Sequence, residues 1–182
     1  MSNQSFKIAF KKLINFFQKN KIPYALIGAW ANNIWGRPRG TADIDFMILI
    51  SDENLKPFLQ NILRDKDIEL DKKWDLHNPM IRHIQSRLLV GDIPIDLMLP
   101  RDHHDKETIA RARKIKIFDF TLYVASKEDS IIQKVKVGRP RDFEDAASII
   151  KKHKKNLDLK YLREWGETLR ISDKLNWLFN QF

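Results

Sequence analysis

The run DIDFMILI, Asp43 to Ile50, constrains this chain more than any other stretch, because nothing in it is polar except Asp43 and Asp45. Alternate side chains of a strand face the same way, so an extended run puts Asp43, Asp45, Met47 and Leu49 on one face and Ile44, Phe46, Ile48 and Ile50 on the other. A strand apolar on both faces is predicted to lie inside a sheet. Two carboxylates there repel each other and lose hydration, which costs free energy unless something positive sits between them. IPIDLMLP, Ile93 to Pro100, has the same character, with Asp96 a lone acid among Ile95, Leu97, Met98 and Leu99. If the two strands are neighbours, three carboxylates converge.

A donor set of three carboxylates suits hard divalent cations, Mg²⁺ or Mn²⁺, which keep waters and complete their shells with substrate phosphates. Two such ions ~3.5–4 Å apart can activate an attacking hydroxyl and hold a triphosphate. The positive charge that Asp43 and Asp45 require is therefore predicted to be metal.

The bulk numbers fit a folded protein that handles phosphate. With 182 residues, 43% hydrophobic and 31% charged, the chain is long enough for a real core and is globular in composition. The formal charge of +9 favours polyanionic partners such as nucleic acid or nucleotides. There is no cysteine, so disulfides and thiolate metal sites are excluded. The first twenty residues are apolar at helical spacing but interrupted by lysines, unlike a signal peptide or a membrane span, and a cytoplasmic location is expected.

Along the chain, Gln4 to Lys19 reads as an amphipathic helix. YALIG (24–28) and AWANNIW (29–35) read as a strand, a tight turn and a short helix. SDENLKPFLQNILRDK (51–66) favours a helix despite Pro57. RHIQSRLLV (82–90) and IPIDLML (93–99) flank Gly91-Asp92 as a β-hairpin. DKETIARARK (105–114) is a predicted short helix and IKIFDFTLYVA (115–125) extended chain, while everything from Ser126 onward is helical, opened by a capping-box pattern from Ser126 to Asp129. The expected organisation is an α/β core over 1–125 and a helical region over 126–182 packed on it. In RDHHD (101–105) adjacent histidines lack metal-ligand spacing, and a structural role is expected.

Gly28 before a short helix, then Arg39, Thr41, Asp43 and Asp45, and a later Asp96 on a strand, together resemble the active-site signature of the DNA polymerase beta-like nucleotidyltransferases. The run SKEDSIIQKVKVGRPRDFEDAASII (126–150) is similar to a motif of the group that includes the AbiEii/AbiGii abortive-infection toxins, a lysine upstream of an Arg-x-Arg/Lys-Asp-x-x-Asp cluster. The resemblance covers roughly Tyr24 to Ile150. It implies an α/β (α+β) fold with a mixed central sheet and a C-terminal helical region. It also implies transfer of a nucleoside monophosphate from an NTP to a hydroxyl, with two Mg²⁺ or Mn²⁺ ions.

By the same resemblance, Asp43, Asp45 and Asp96 are the metal-binding and catalytic acids, with Asp96 also accepting the proton of the attacking hydroxyl. Gly28, Ala29, Arg39, Thr41, Lys134 and Asp142 are the nucleotide-binding positions, and Asp145 is expected to pair with an arginine. Ala29 stands where the family usually has serine or glycine, so phosphate holding there falls to backbone amides and nearby cations. An RNA or tRNA acceptor fits the net charge. The alternatives are a small-molecule or protein hydroxyl, or a non-catalytic nucleotide- or partner-binding component of a toxin-antitoxin system.

Overall fold

A computed structural model describes residues 3–81 and 83–182, so Arg82, which opens the first arm of the expected hairpin, lies outside the described residues. In chain order the elements are α1 (Asn3–Lys19), β1 (Tyr24–Leu26), α2 (Gly28–Trp35), β2 (Ile44–Ile48), α3 (Asp52–Ile62), β3 (Ile68–Leu70), α4 (Lys72–His77) and β4 (Gln85–Val90). They continue with β5 (Ile93–Met98), α5 (His103–Ala110), β6 (Arg113–Ile117), β7 (Phe120–Val124), α6 (Lys127–Val137), α7 (Pro140–His153), α8 (Leu159–Thr168) and α9 (Ser172–Phe179). This is the mixed α/β class read from the sequence. The chain divides into two compact units, Met1–Leu26 with Thr41–Val124, and Ile27–Gly40 with Ala125–Phe182.

The first unit is built on a sheet of order β3-β4-β5-β2-β1-β7-β6 among the described residues. β2 runs parallel to β5 and antiparallel to β1, and β1 runs parallel to β7. Ile44, Phe46 and Ile48 are fully buried, as are Phe10, Leu13 and Phe17 of α1. Phe10 and Phe17 meet Phe46 edge-on at 6.0 and 5.3 Å, and Tyr24 meets it at 5.7 Å. The helical spacing of Phe6, Phe10, Leu13 and Phe17 therefore seals the face of β2 that Phe46 occupies. By the pleat, Asp45 faces the other way.

Some boundaries differ from the sequence reading. The strand carrying Asp45 begins at Ile44 and ends at Ile48, so Asp43 sits just before it and Leu49 is exposed. The stretch read as one extended segment is a hairpin of β6 and β7, with Phe118 at φ 55 in the turn. α3 forms with Pro57 inside it, as expected, but ends at Ile62. RDHHD opens α5, with the Asp102 side chain accepting from the Asp105 amide and with His104 and Asp105 buried.

In the second unit α6, α7, α8 and α9 share a core that includes Ile131, Val135, Ile149, Tyr161 and Leu175. Ser126 caps α6 by accepting from the Asp129 amide, and Gly138 ends that helix at φ 71, a left-handed conformation that glycine adopts without a Cβ clash. Trp35, at the end of α2, packs against this core and donates from Nε1 to the carbonyl of Ala125 at 2.8 Å.

Phe46→Ala is expected to cost about 3–5 kcal/mol, because it empties the space on which α1 and β1 converge. Urea denaturation measures this, and a loss under about 1 kcal/mol would contradict the packing described.

Candidate functional site

β2 and β5 pair in parallel with Asp45 directly beside Asp96. Register partners in neighbouring strands project to the same side, so the acids of two segments fifty-one residues apart meet on one face. Asp43, Asp45 and Asp96 each offer a carboxylate oxygen, and these three oxygens lie within 4.8 Å of one another. Asp96 is 4% exposed, while Asp43 and Asp45 are half-buried. Thr41 Oγ1 donates to Asp43 Oδ1 at 2.7 Å, which orients the acid that the strand itself does not hold. Oxygen donors this close, one of them buried, fit a hard divalent cation.

One member of the cluster was missed in the sequence. Arg87 on β4 sits opposite Asp96 in the antiparallel ladder. Its Nε and Nη2 donate to Asp96 Oδ1 and Oδ2, both at 2.7 Å, a two-pronged, charge-assisted pair. The signal was present: a turn centred on Gly91-Asp92 pairs residues whose numbers add to a constant, and 87 with 96 satisfies it as 91 with 92 does. Part of the positive charge beside the acids is therefore a guanidinium. The attraction of Asp96, with weaker contributions from Asp43 and Asp71, raises the Arg87 pKa further above its already high value.

The second unit carries its own charged cluster. Lys134, buried on α6, puts Nζ 3.1 Å from Asp142 Oδ1 and 2.7 Å from Asp145 Oδ2. Arg39 grips Asp145 through Nε and Nη2, both at 3.0 Å, and is the arginine partner expected for that acid. Arg139 donates from Nε to Asp142 Oδ2 at 2.7 Å, and its backbone amide reaches the same oxygen at 3.3 Å. Pro140 opens α7, and Asp142 in its first turn serves both the cap and the ion pairs. Burial pushes both carboxyls up, but hydrogen bonds from Arg139 and Lys134 to Asp142, and from Arg39 and Lys134 to Asp145, hold both below the usual carboxylate range.

Gly28 and Ala29 also belong to this unit. Gly28 has φ 65, a left-handed conformation that explains glycine at the start of α2. Ala29 is buried. Arg39 is held from its backbone too, its amide donating to Asn33 Oδ1 at 2.9 Å.

No protein-family model matches the sequence, and no curated protein matches it. Solved structures do resemble it in three dimensions. An antigenic nucleotidyltransferase-like protein from Paracoccidioides brasiliensis is 18% identical, with 83% of this chain and 78% of that one covered at a TM-score of 0.58. The antibiotic-resistance factor ANT(2'')-Ia is 15% identical, with 99% and 97% covered at 0.56. The lincosamide antibiotic adenylyltransferase LnuA in its lincomycin-bound form is 12% identical, with 82% and 96% covered at 0.53. At such identities the likeness is one of fold, and the fold is that of the nucleotidyltransferases.

Carboxyls whose folded pKa is depressed add stability that is complete above the unfolded value of ~3.9 and is lost as the pH falls through the folded value. Lys134→Met is expected to cost about 3–5 kcal/mol at neutral pH, since it strips a buried partner from Asp142 and Asp145. The difference from the parent should narrow below roughly pH 4 as those acids are protonated. Urea unfolding at the two pH values measures it, and a difference independent of pH would contradict the network.

Proposed function

We propose that this chain is a metal-dependent nucleotidyltransferase that moves a nucleoside monophosphate from an NTP to a hydroxyl acceptor and releases pyrophosphate. The observation that supports this most is the convergence of Asp43, Asp45 and Asp96 to within 4.8 Å from two parallel neighbouring strands. In this reading the three acids hold Mg²⁺ or Mn²⁺, which when bound supplies neutralisation of phosphate charge and a more acidic acceptor hydroxyl. The acceptor oxygen forms a bond to the α-phosphorus, the bond from that phosphorus to the bridging oxygen breaks, and pyrophosphate leaves. Asp96 takes the proton of the acceptor hydroxyl. Each carboxylate oxygen has two acceptor positions, so the Arg87 bonds leave capacity for that proton. Thr41 keeps Asp43 aimed into the cluster.

For Gly28, Ala29, Arg39, Lys134 and Asp142 we propose a nucleotide-binding role. The left-handed Gly28 bares backbone amides at the start of α2, and Ala29 adds no hydroxyl. Arg39 and Lys134 would serve as cations shared with Asp145 and Asp142, since all four are already paired with one another. The lysine and the Arg-x-Arg-Asp-x-x-Asp cluster support a reading of the chain as one of the AbiEii/AbiGii toxin group.

An RNA end, as in tRNA, is the acceptor that the net charge of +9 supports. A small uncharged hydroxyl compound is the second reading. It is favoured by the fold likeness to the lincomycin-bound adenylyltransferase LnuA, whereas a cationic aminoglycoside, as in the ANT(2'')-Ia complex, suits a chain this basic poorly. Among the described residues no helix is long and apolar enough to cross a membrane.

Incubation of the chain with α-labelled NTPs, Mn²⁺ and either total tRNA or small acceptors should place label on one of them, with pyrophosphate released in equal amount. Asp45→Asn should lower that transfer by about 10³-fold or more with the fold intact by circular dichroism, on the scale of removing one electrostatic stabiliser. Transfer unchanged in Asp45→Asn would remove the mechanism. Label on small molecules alone would remove the RNA acceptor.

A further inference from the structure

Arg87 is held from more directions than a cross-strand ion pair needs. Its carbonyl accepts the Asp71 amide at 2.9 Å, and the Asp71 side chain in turn caps α4 by accepting the Trp74 amide at 2.9 Å. That cap sets Trp74 so that the guanidinium carbon of Arg87 lies 5.4 Å from the centre of a Trp74 ring, within cation–π range. The two short bonds to Asp96 complete the clamp, and the Arg87 side chain is only 24% exposed. α4 is thus a short helix whose cap and one aromatic ring fix a cation against one acid of the cluster.

A fixed guanidinium at this place has two separable effects. It locks the plane of the Asp96 carboxylate, because a two-pronged bond resists rotation about χ2. It also puts a unit positive charge next to the position a divalent cation would take, and like charges at such distances disfavour each other strongly where water is partly excluded.

We propose that Arg87 is a positioning residue that shares Asp96 with the divalent cation. It orients the carboxylate for catalysis and weakens cation binding in the absence of nucleotide, so that the ion is held well only when phosphates add their charge. This inference rests on the metal-dependent reading of Asp43, Asp45 and Asp96.

Mn²⁺ binding to the full chain without nucleotide, followed by electron paramagnetic resonance or calorimetry, separates the two effects. Arg87→Met, which removes the charge, should tighten Mn²⁺ binding about fivefold or more. Arg87→Lys, which keeps the charge but loses the fork, should stay within about twofold of the parent. Both should lower kcat for nucleotidyl transfer about tenfold or more with little change in KM for the NTP. Trp74→Ala leaves the charge in place and loosens its holder, so it should lower kcat without tightening Mn²⁺ binding, and it stands in if Arg87→Met does not fold.

If Arg87 merely tied β4 to β5, its variants would melt earlier while Mn²⁺ affinity stayed put. Unaltered or weaker Mn²⁺ binding in Arg87→Met, or an unaltered kcat in Trp74→Ala, would overturn the proposal and leave the metal reading standing. A parent chain that binds no Mn²⁺ with or without NTP would overturn the metal reading itself.

Discussion

The pairing of β2 with β5 puts the carboxylates of Asp45 and Asp96 side by side near the middle of a sheet, and much of this molecule answers the cost of that arrangement. An unpaired buried acid destabilises a fold by several kcal/mol, so such a cluster persists only with nearby positive charge or with hydrogen bonds that favour the ionised form. Thr41 supplies a hydroxyl to Asp43, and Arg87 supplies two N–H groups to Asp96. α1 seals the opposite face with aromatic side chains.

The two units treat charge differently. In the helical unit, Asp142 and Asp145 share Lys134 between them, and each has an arginine of its own, so every carboxylate of the network is neutralised from two sides. In the sheet unit, three carboxylates come together within 4.8 Å. The first pattern holds helices α6 and α7 in register with the Arg39 loop. The second concentrates negative charge at one point, which is an arrangement useful to chemistry on phosphates and of little use to stability alone.

The acids could be seen in the sequence because Asp45 and Asp96 interrupt apolar strands and Asp43 opens the run that forms the first of them, where charges are costly to bury. Their meeting was legible only on the condition that the two strands are neighbours, and through the family resemblance. β2 and β5 are separated by α3, β3, α4 and β4, and parallel pairing across such a span leaves no local pattern. Arg87 was readable from the turn arithmetic around Gly91-Asp92, which pairs it with Asp96. The division of the chain was less legible still, because Ile27–Gly40 groups with residues a hundred positions later through contacts such as Arg39 to Asp145 and Arg37 to Ser148. β3 and α4 follow polar, weakly periodic sequence, DIELDKKWDLH, whose structure is set by the Asp71 cap and by pairing with β4.

In the proposed function, a cation and a nucleotide meet at Asp43, Asp45 and Asp96. A crystal of the chain soaked with Mn²⁺ and a non-hydrolysable NTP, with data collected at the manganese edge, tests it most directly. The expected result is an anomalous peak within ligand distance of all three carboxylates and of a phosphate oxygen. Nucleotide bound elsewhere with no manganese among these acids would contradict the account.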